Sequence, residues 1–340
     1  MIHLILTFDY ELPLGKVKHS YEDALFQPTE QLLELAQKIG VPIVLFADIL
    51  SYYKHKESQI SSFTVPFENQ LQKTLQLGHE VQLHLHPHWM KTEVGEQTFQ
   101  PDLSFTLEHF SDEELEQLLQ LSIKELKAVL SPIDPHYRPT AYRAGGYNIQ
   151  SKGGAMIPLL QKYGVAFDSS VAQGYYFHSA QSTVDFRKLP AKGNWLLPLD
   201  GDLTQEGNSS IMEVPIAAKP KTLFELPTAL KMRLYADRAV NRGSMIHRQD
   251  AIPWREKINM FRSSRMLSVD NFTFTPKQLL QILDYHIRKY KTEKDLFVAL
   301  IGHPKSMGGY ALGLLESFVE LARDKYGDEL RITTFPKNAN

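Results

Sequence analysis

The stretch Thr29-Glu30-Gln31-Leu32-Leu33-Glu34-Leu35-Ala36-Gln37-Lys38-Ile39-Gly40-Val41-Pro42-Ile43-Val44-Leu45-Phe46-Ala47 changes its apolar period half-way. Leu32, Leu33, Leu35, Ala36 and Ile39 share one face of a helix over Thr29–Ile39, and Gly40 caps it. Val41–Ala47 is then a short apolar run that reads as a buried strand. The same alternation extends in both directions. Ile2–Phe8 reads as a strand before it, and helix Phe67–Leu77 leads through Gly78 into another strand. Ser111 and Glu114 form a capping box that starts a helix running to about Leu130. Strand Ala141–Arg143, helix Ala155–Tyr163 and strand Val165–Phe167 follow, and the chain ends with helix Pro276–Tyr290, strand Leu296–Ile301, helix Tyr310–Tyr326 and strand Leu330–Thr334. Repeated β-then-α units imply an α/β fold, a parallel sheet or barrel with helices outside. We expect a single domain over residues 1–340.

Composition narrows the function. A net charge of −2 argues against a generic nucleic-acid binder, and 43% hydrophobic residues suffice for a core. With no cysteine, thiolate nucleophiles, disulfides and Cys-type zinc sites are excluded. Met1-Ile2-His3-Leu4-Ile5-Leu6 lacks the pattern of a signal peptide, and no apolar run reaches the roughly 20 residues of a bilayer span. A cytoplasmic location is therefore expected, with contact at the inner membrane surface allowed. One stretch stands apart. Lys219–Arg265 holds 11 Lys or Arg against four Asp or Glu, an excess of seven positive charges, and the rest of the chain carries minus nine. Leu226, Leu230, Leu234 and Tyr235 fall there at helical spacing, with Lys231, Arg233 and Arg238 among them. This reads as a basic insertion, at about 219–266, with either a solvated basic face or a patch for anionic substrate or inner-leaflet phospholipid.

The chemistry concentrates in Gly78-His79-Glu80-Val81-Gln82-Leu83-His84-Leu85-His86-Pro87-His88-Trp89, where four of the 13 histidines fall within ten residues. Neutral imidazole is the commonest side-chain metal ligand, so this density points to a bound cation. Asp9-Tyr10-Glu11 follows the first strand, and residues two apart in extended chain point the same way, so Asp9 and Glu11 can face one pocket. A carboxylate with two imidazoles is the ligand shell of a hydrolytic metal centre, and a second carboxylate can serve as general base. His84 with His86, or His84 with His88 across Pro87, supplies the imidazole pair; spacing does not choose between them.

In order along the chain, Thr7-Phe8-Asp9, Gly78-His79-Glu80 with His84 and His88, Tyr142-Arg143-Ala144-Gly145-Gly146-Tyr147, Phe167-Asp168-Ser169-Ser170 and Leu300-Ile301-Gly302-His303-Pro304 resemble the five motifs of polysaccharide deacetylases of the NodB-homology type, carbohydrate esterase family 4. The resemblance implies a distorted (β/α) barrel of about seven strands that removes N- or O-acetyl groups from sugars. It also implies one divalent metal ion, zinc ahead of cobalt, nickel or manganese, held by His84 and His88. Asp9 would be the general base, steadied by Arg143, and His303 the general acid, oriented by Asp168. A backbone N–H near Tyr147 would join the metal in stabilising the oxyanion. The sequence also departs from the pattern. The usual metal-binding aspartate is Tyr10 here, which makes Glu11 the third ligand. Gly145 replaces a common proline. The aromatic wall is open among Trp89, Tyr147 and Trp195, and Asp270 is the fallback for orienting His303. His86 reads as a residue lining the substrate pocket and His79 as structural. The resulting expectation is a deacetylase acting on an intracellular glycan precursor, nucleotide- or lipid-linked. An amide hydrolase of the same fold with a non-sugar substrate, and an inactive carbohydrate-binding relative, are the alternatives.

Overall fold

The first strand, β1 (Ile2–Tyr10), sends alternate side chains into two different cores. Leu4, Leu6 and Phe8 belong to the outer core shared with the helices, whereas Ile5 joins Val44, Phe46, Ala141, Phe167, Ile216, Ala299 and Ile301 in an inner one. Two buried faces explain why the strands read as continuous apolar runs. The computed structural model describes residues 1–13, 20–96, 98–178, 183–222, 253–270, 275–290 and 294–336.

The sheet contains β2 (Val44–Asp48), β3 (Glu80–Leu85), β4 (Ala141–Ala144), β5 (Phe167–Asp168), β6 (Trp195–Leu196), β7 (Met212–Glu213), β8 (Leu296–Gly302) and β9 (Leu330–Thr333). Their order is β6-β7-β5-β4-β3-β2-β1-β8, with β9 beside the start of β1. Every pairing along this path is parallel except β6 with β7. The sheet curls until its ends meet. Ile216, just past β7, bridges Ala172 on one side and Ala299 of β8 on the other. Helices Gln27–Lys38, Ser61–Gln76, Asp112–Leu130, Pro276–Lys289 and Gly309–Tyr326 contribute to the outer core. The chain is thus a distorted (β/α) barrel, as its alternating pattern implies.

Most expected elements lie within a few residues of their places. Ser111 caps its helix with the reciprocal Glu114 bond. The helix expected at Phe67 begins earlier, at Ser61, and carries Pro66 inside it. Helix Ile49–Glu57 is additional. In the basic insertion, Leu226, Leu230, Lys231, Arg233, Leu234, Tyr235 and Arg238 lie outside the described residues. Its two ends pair as an antiparallel ribbon, Ala218–Pro220 with Ser264–Met266. No helix among the described residues is long and apolar enough to cross a membrane.

Candidate metal centre

Alternation along the barrel strands aims a set of polar side chains at the mouth where β1, β3 and β4 end. Thr7, Asp9 and Glu11 follow the inward Ile5 at intervals of two, Asp48 follows Phe46, and His303 follows Ile301. Asp48 sits opposite His84, and His84 opposite Arg143, in register across three strands. Tyr10 points the other way. Its ring is buried in the outer core, 5.2 Å from that of Phe67. One residue of alternation therefore puts Tyr10 outside and brings Glu11 back to the mouth.

Glu11, His84 and His86 each offer one ligand atom, and these atoms lie within 4.8 Å of one another. His84 Nδ1 donates to the Arg143 carbonyl at 2.8 Å, and its Nε2 lies 3.4 Å from Glu11 Oε2. His86 Nε2 touches the same Oε2 but makes no hydrogen bond. Two buried imidazole nitrogens and a carboxylate oxygen that converge this closely fit a divalent cation, and the backbone bond to His84 is the support such a ligand needs. Burial alone would raise the Glu11 pKa. Lys305, whose Nζ donates to Oε1 at 2.8 Å, and His86 instead hold it well below the usual carboxylate range.

His88 stands apart from this group. His86 keeps extended backbone, φ −109° and ψ 98°, so it continues the inward face of β3. The Pro87–Lys91 turn then carries His88 off that face and beside the rings of His86 and Trp89, at 5.1 and 5.3 Å. Its Nε2 has no hydrogen-bond partner, and burial followed by the neighbouring His86 lowers its pKa well below the ordinary value. The structure thus brings His86, and not the expected His88, beside His84 and Glu11, because the extended conformation continues past residue 85.

Beside the group, Arg143 is completely buried. Its Nη1 donates to Asp9 Oδ1 at 2.6 Å, Nη2 to Thr7 Oγ1 at 2.8 Å and Ser169 Oγ at 2.9 Å, and Nε to the Ser169 carbonyl at 2.8 Å. The guanidinium also lies 4.3 Å from the centre of the Phe46 ring. Burial raises the Asp9 pKa, but Arg143, with His84 and His303, reverses the balance and holds the carboxyl far below its usual value. Asp9 Oδ2 is left facing His303 Nε2 at 3.5 Å.

The partner of His303 is Asp270. Both Asp270 oxygens lie 3.2 Å from His303 Nδ1, and Oδ1 also accepts from the His303 backbone N–H at 2.9 Å. Burial would lower the His303 pKa, yet Asp270 and then Asp9 push it up to about 10. Asp168 makes no such contact. It accepts from the Ser170 hydroxyl at 2.7 Å and backbone N–H at 3.0 Å, and it faces Glu213 across the β5–β7 pair. The structure places Asp270, the fallback, and not Asp168 beside His303, because the Asp168 carboxylate is taken up by Ser170.

The aromatic candidates separate as well. Trp89 is buried in the outer core and donates to Asp48 Oδ2 at 2.5 Å, so it forms no pocket wall. Trp195 is buried too. Tyr147 is half-buried, packs 5.7 Å from Tyr175, and has its hydroxyl pKa raised by burial and then by Tyr175, Asp9 and Asp270. Lys305 and Asp48 escaped the sequence reading. Asp48 closes an apolar strand as Asp9 does, a signal that was available; a buried lysine in Pro304-Lys305-Ser306 gave none.

No family model and no curated protein matches the chain. Among solved structures it is similar to a protein from Mycobacterium smegmatis described as a polysaccharide deacetylase, with 14% identity, 99% of this chain and 88% of that one covered, and a TM-score of 0.51. A Pseudomonas aeruginosa protein of the same description gives 11%, 98%, 88% and 0.47. An allantoinase gives 11%, 98%, 87% and 0.48. At such identities the first likeness establishes a shared fold: this chain is built on the barrel of the polysaccharide deacetylases.

Proposed function

From that fold and this centre, we propose that the protein is a divalent-metal-dependent hydrolase that removes an acetyl group from a sugar nitrogen or oxygen. Glu11, His84 and His86 would hold the metal, and their convergence is the observation that carries the reading. Two imidazoles and one carboxylate suit zinc, with cobalt, nickel and manganese accepting the same donors. A bound cation supplies Lewis acidity toward water and the acyl oxygen.

The surrounding side chains divide the proton work. Arg143 pins Asp9 Oδ1, so Oδ2 is the oxygen free to take a proton from the attacking water. His303, kept protonated by Asp270 to about pH 10, donates to the leaving amine or alkoxide. The Gly145–Tyr147 turn has φ 62° at Gly146 and 64° at Tyr147, and we assign its backbone N–H groups to the developing oxyanion. The inactive-relative reading rested on Tyr10 replacing a metal ligand. With Glu11 at the mouth and Tyr10 in the outer core, it loses that motive.

Acetate release from chitooligosaccharides and UDP-N-acetyl sugars, by protein loaded with zinc, tests the proposal. Release abolished by Asp9→Asn is expected. A full complement of metal with no acetate from any acetylated sugar would instead favour an amide hydrolase with a non-sugar substrate.

A further inference from the structure

Helix Trp254–Phe261 buries none of its residues, although Trp254, Ile258 and Phe261 are large, apolar and exposed. Trp254 is 67% exposed, Ile258 38% and Phe261 44%. At 3.6 residues per turn, these three positions fall within about 60° of one another, as one stripe. Lys257 borders the stripe on one side, Arg255 and Arg262 on the other, and all three are exposed.

The opposite face is polar, and it is the face that is held. Glu256 Oε2 accepts from the Tyr176 hydroxyl and from Asn259 Nδ2, the latter at 3.2 Å. Asn259 Oδ1 accepts from Arg187 Nη1 at 3.3 Å, and the Met260 carbonyl accepts from Lys221 Nζ at 2.7 Å. A helix that covers a core does the reverse, turning its apolar stripe inward. Here the attachment fixes the stripe facing out.

We propose that this helix docks the protein on an anionic phospholipid surface. Trp and Phe suit the depth of the headgroups, and flanking Lys and Arg can bury their stems while their charges reach the phosphates. The charge of the described residues complements such a surface, since 219–222 and 253–265 hold six Lys or Arg against one acidic residue, Glu256, in a chain of net charge −2. Tyr176, which donates to Glu256 of the helix, adjoins Tyr175, and Tyr175 packs on Tyr147 beside the candidate metal centre. This inference stands apart from the metal reading.

The three tryptophans make the test direct. Trp89 and Trp195 are buried, so Trp254 is the one placed to report on added lipid. With the full chain and vesicles of phosphatidylglycerol at low salt, we expect a blue shift of tryptophan emission and co-sedimentation. Vesicles of phosphatidylcholine, or about 0.5 M salt, should weaken binding roughly tenfold or more. Ile258→Ser combined with Phe261→Ser keeps Trp254 and should lose the binding, while metal content and acetate release from a soluble sugar stay unchanged. Absence of a shift, equal binding to both lipids, or binding untouched by the double substitution would overturn the proposal. Self-association without vesicles, lost in the same variant, would overturn it in favour of a second copy as occupant.

Discussion

The imidazole of His86 occupies the space that a side chain at residue 145 would need. A Cβ on Gly145 would lie 2.6 Å from His86 Cγ and Nδ1 and equally close to the Leu85 carbonyl oxygen. Gly145 in place of proline and the placement of His86 beside His84 are therefore one arrangement. Gly145→Ala should push the ring out of line and lower metal affinity by about 10–100-fold, read by chelator competition, with the far-ultraviolet circular dichroism unchanged. Unaltered affinity would remove His86 from the centre.

Arg143 and Asp9 form a buried ion pair at 2.6 Å, and a buried charge stripped of its partner is expensive. Arg143→Met should cost about 3–5 kcal/mol in urea unfolding. Asp9→Asn should cost less, because the amide oxygen still accepts from Nη1. A reversed ranking would contradict the role given to this pair.

The pairing of His303 with Asp270 has a signed pH dependence. The folded pKa of about 10 exceeds the ordinary 6.5, so the contribution to stability is complete below about 6.5 and disappears as pH rises through 10. In chelator-treated protein, Asp270→Asn should move that alkaline loss downward by about 1–3 pH units. Thermal unfolding between neutral and alkaline pH measures the difference, and superimposable curves would deny the pairing.

Glu213 and Asp168 face each other in full burial, and the Glu213 oxygens accept no hydrogen bond. Burial, and then the charge of Asp168, raises the Glu213 pKa well above 4.5. An acid whose folded pKa is raised favours the folded state most below its unfolded pKa and loses that advantage as pH rises. Glu213→Gln cannot ionise, so its stability relative to the parent should climb as pH rises above the ordinary 4.5. A flat difference would mean that the pair carries no shared proton.

The barrel was legible because its strands are buried on both faces and its helices carry a 3.6-residue period with explicit caps, as at Ser111 and Glu114. Asp9, Glu11, Arg143 and His303 were legible for a related reason: each stands where an apolar run ends. The choice between His86 and His88 was not, since it depends on whether the extended backbone survives one residue past Leu85 before Pro87 turns the chain. Asp270 over Asp168 was decided by long-range pairing. Val269 donates to the Ile301 carbonyl at 3.1 Å, which sets Asp270 beside the end of β8, and no local pattern announces that contact. Lys305 reads as a surface lysine until Glu11, 294 positions away in sequence, is seen to accept its proton.

The account turns on which side chains hold the metal. Metal content should be measured on protein purified without a histidine tag, in parallel for His84→Ala, His86→Ala and His88→Ala. We expect a stoichiometric divalent ion in the parent and in His88→Ala, and its loss from His84→Ala and His86→Ala. Retention in His86→Ala together with loss in His88→Ala would contradict the centre described here.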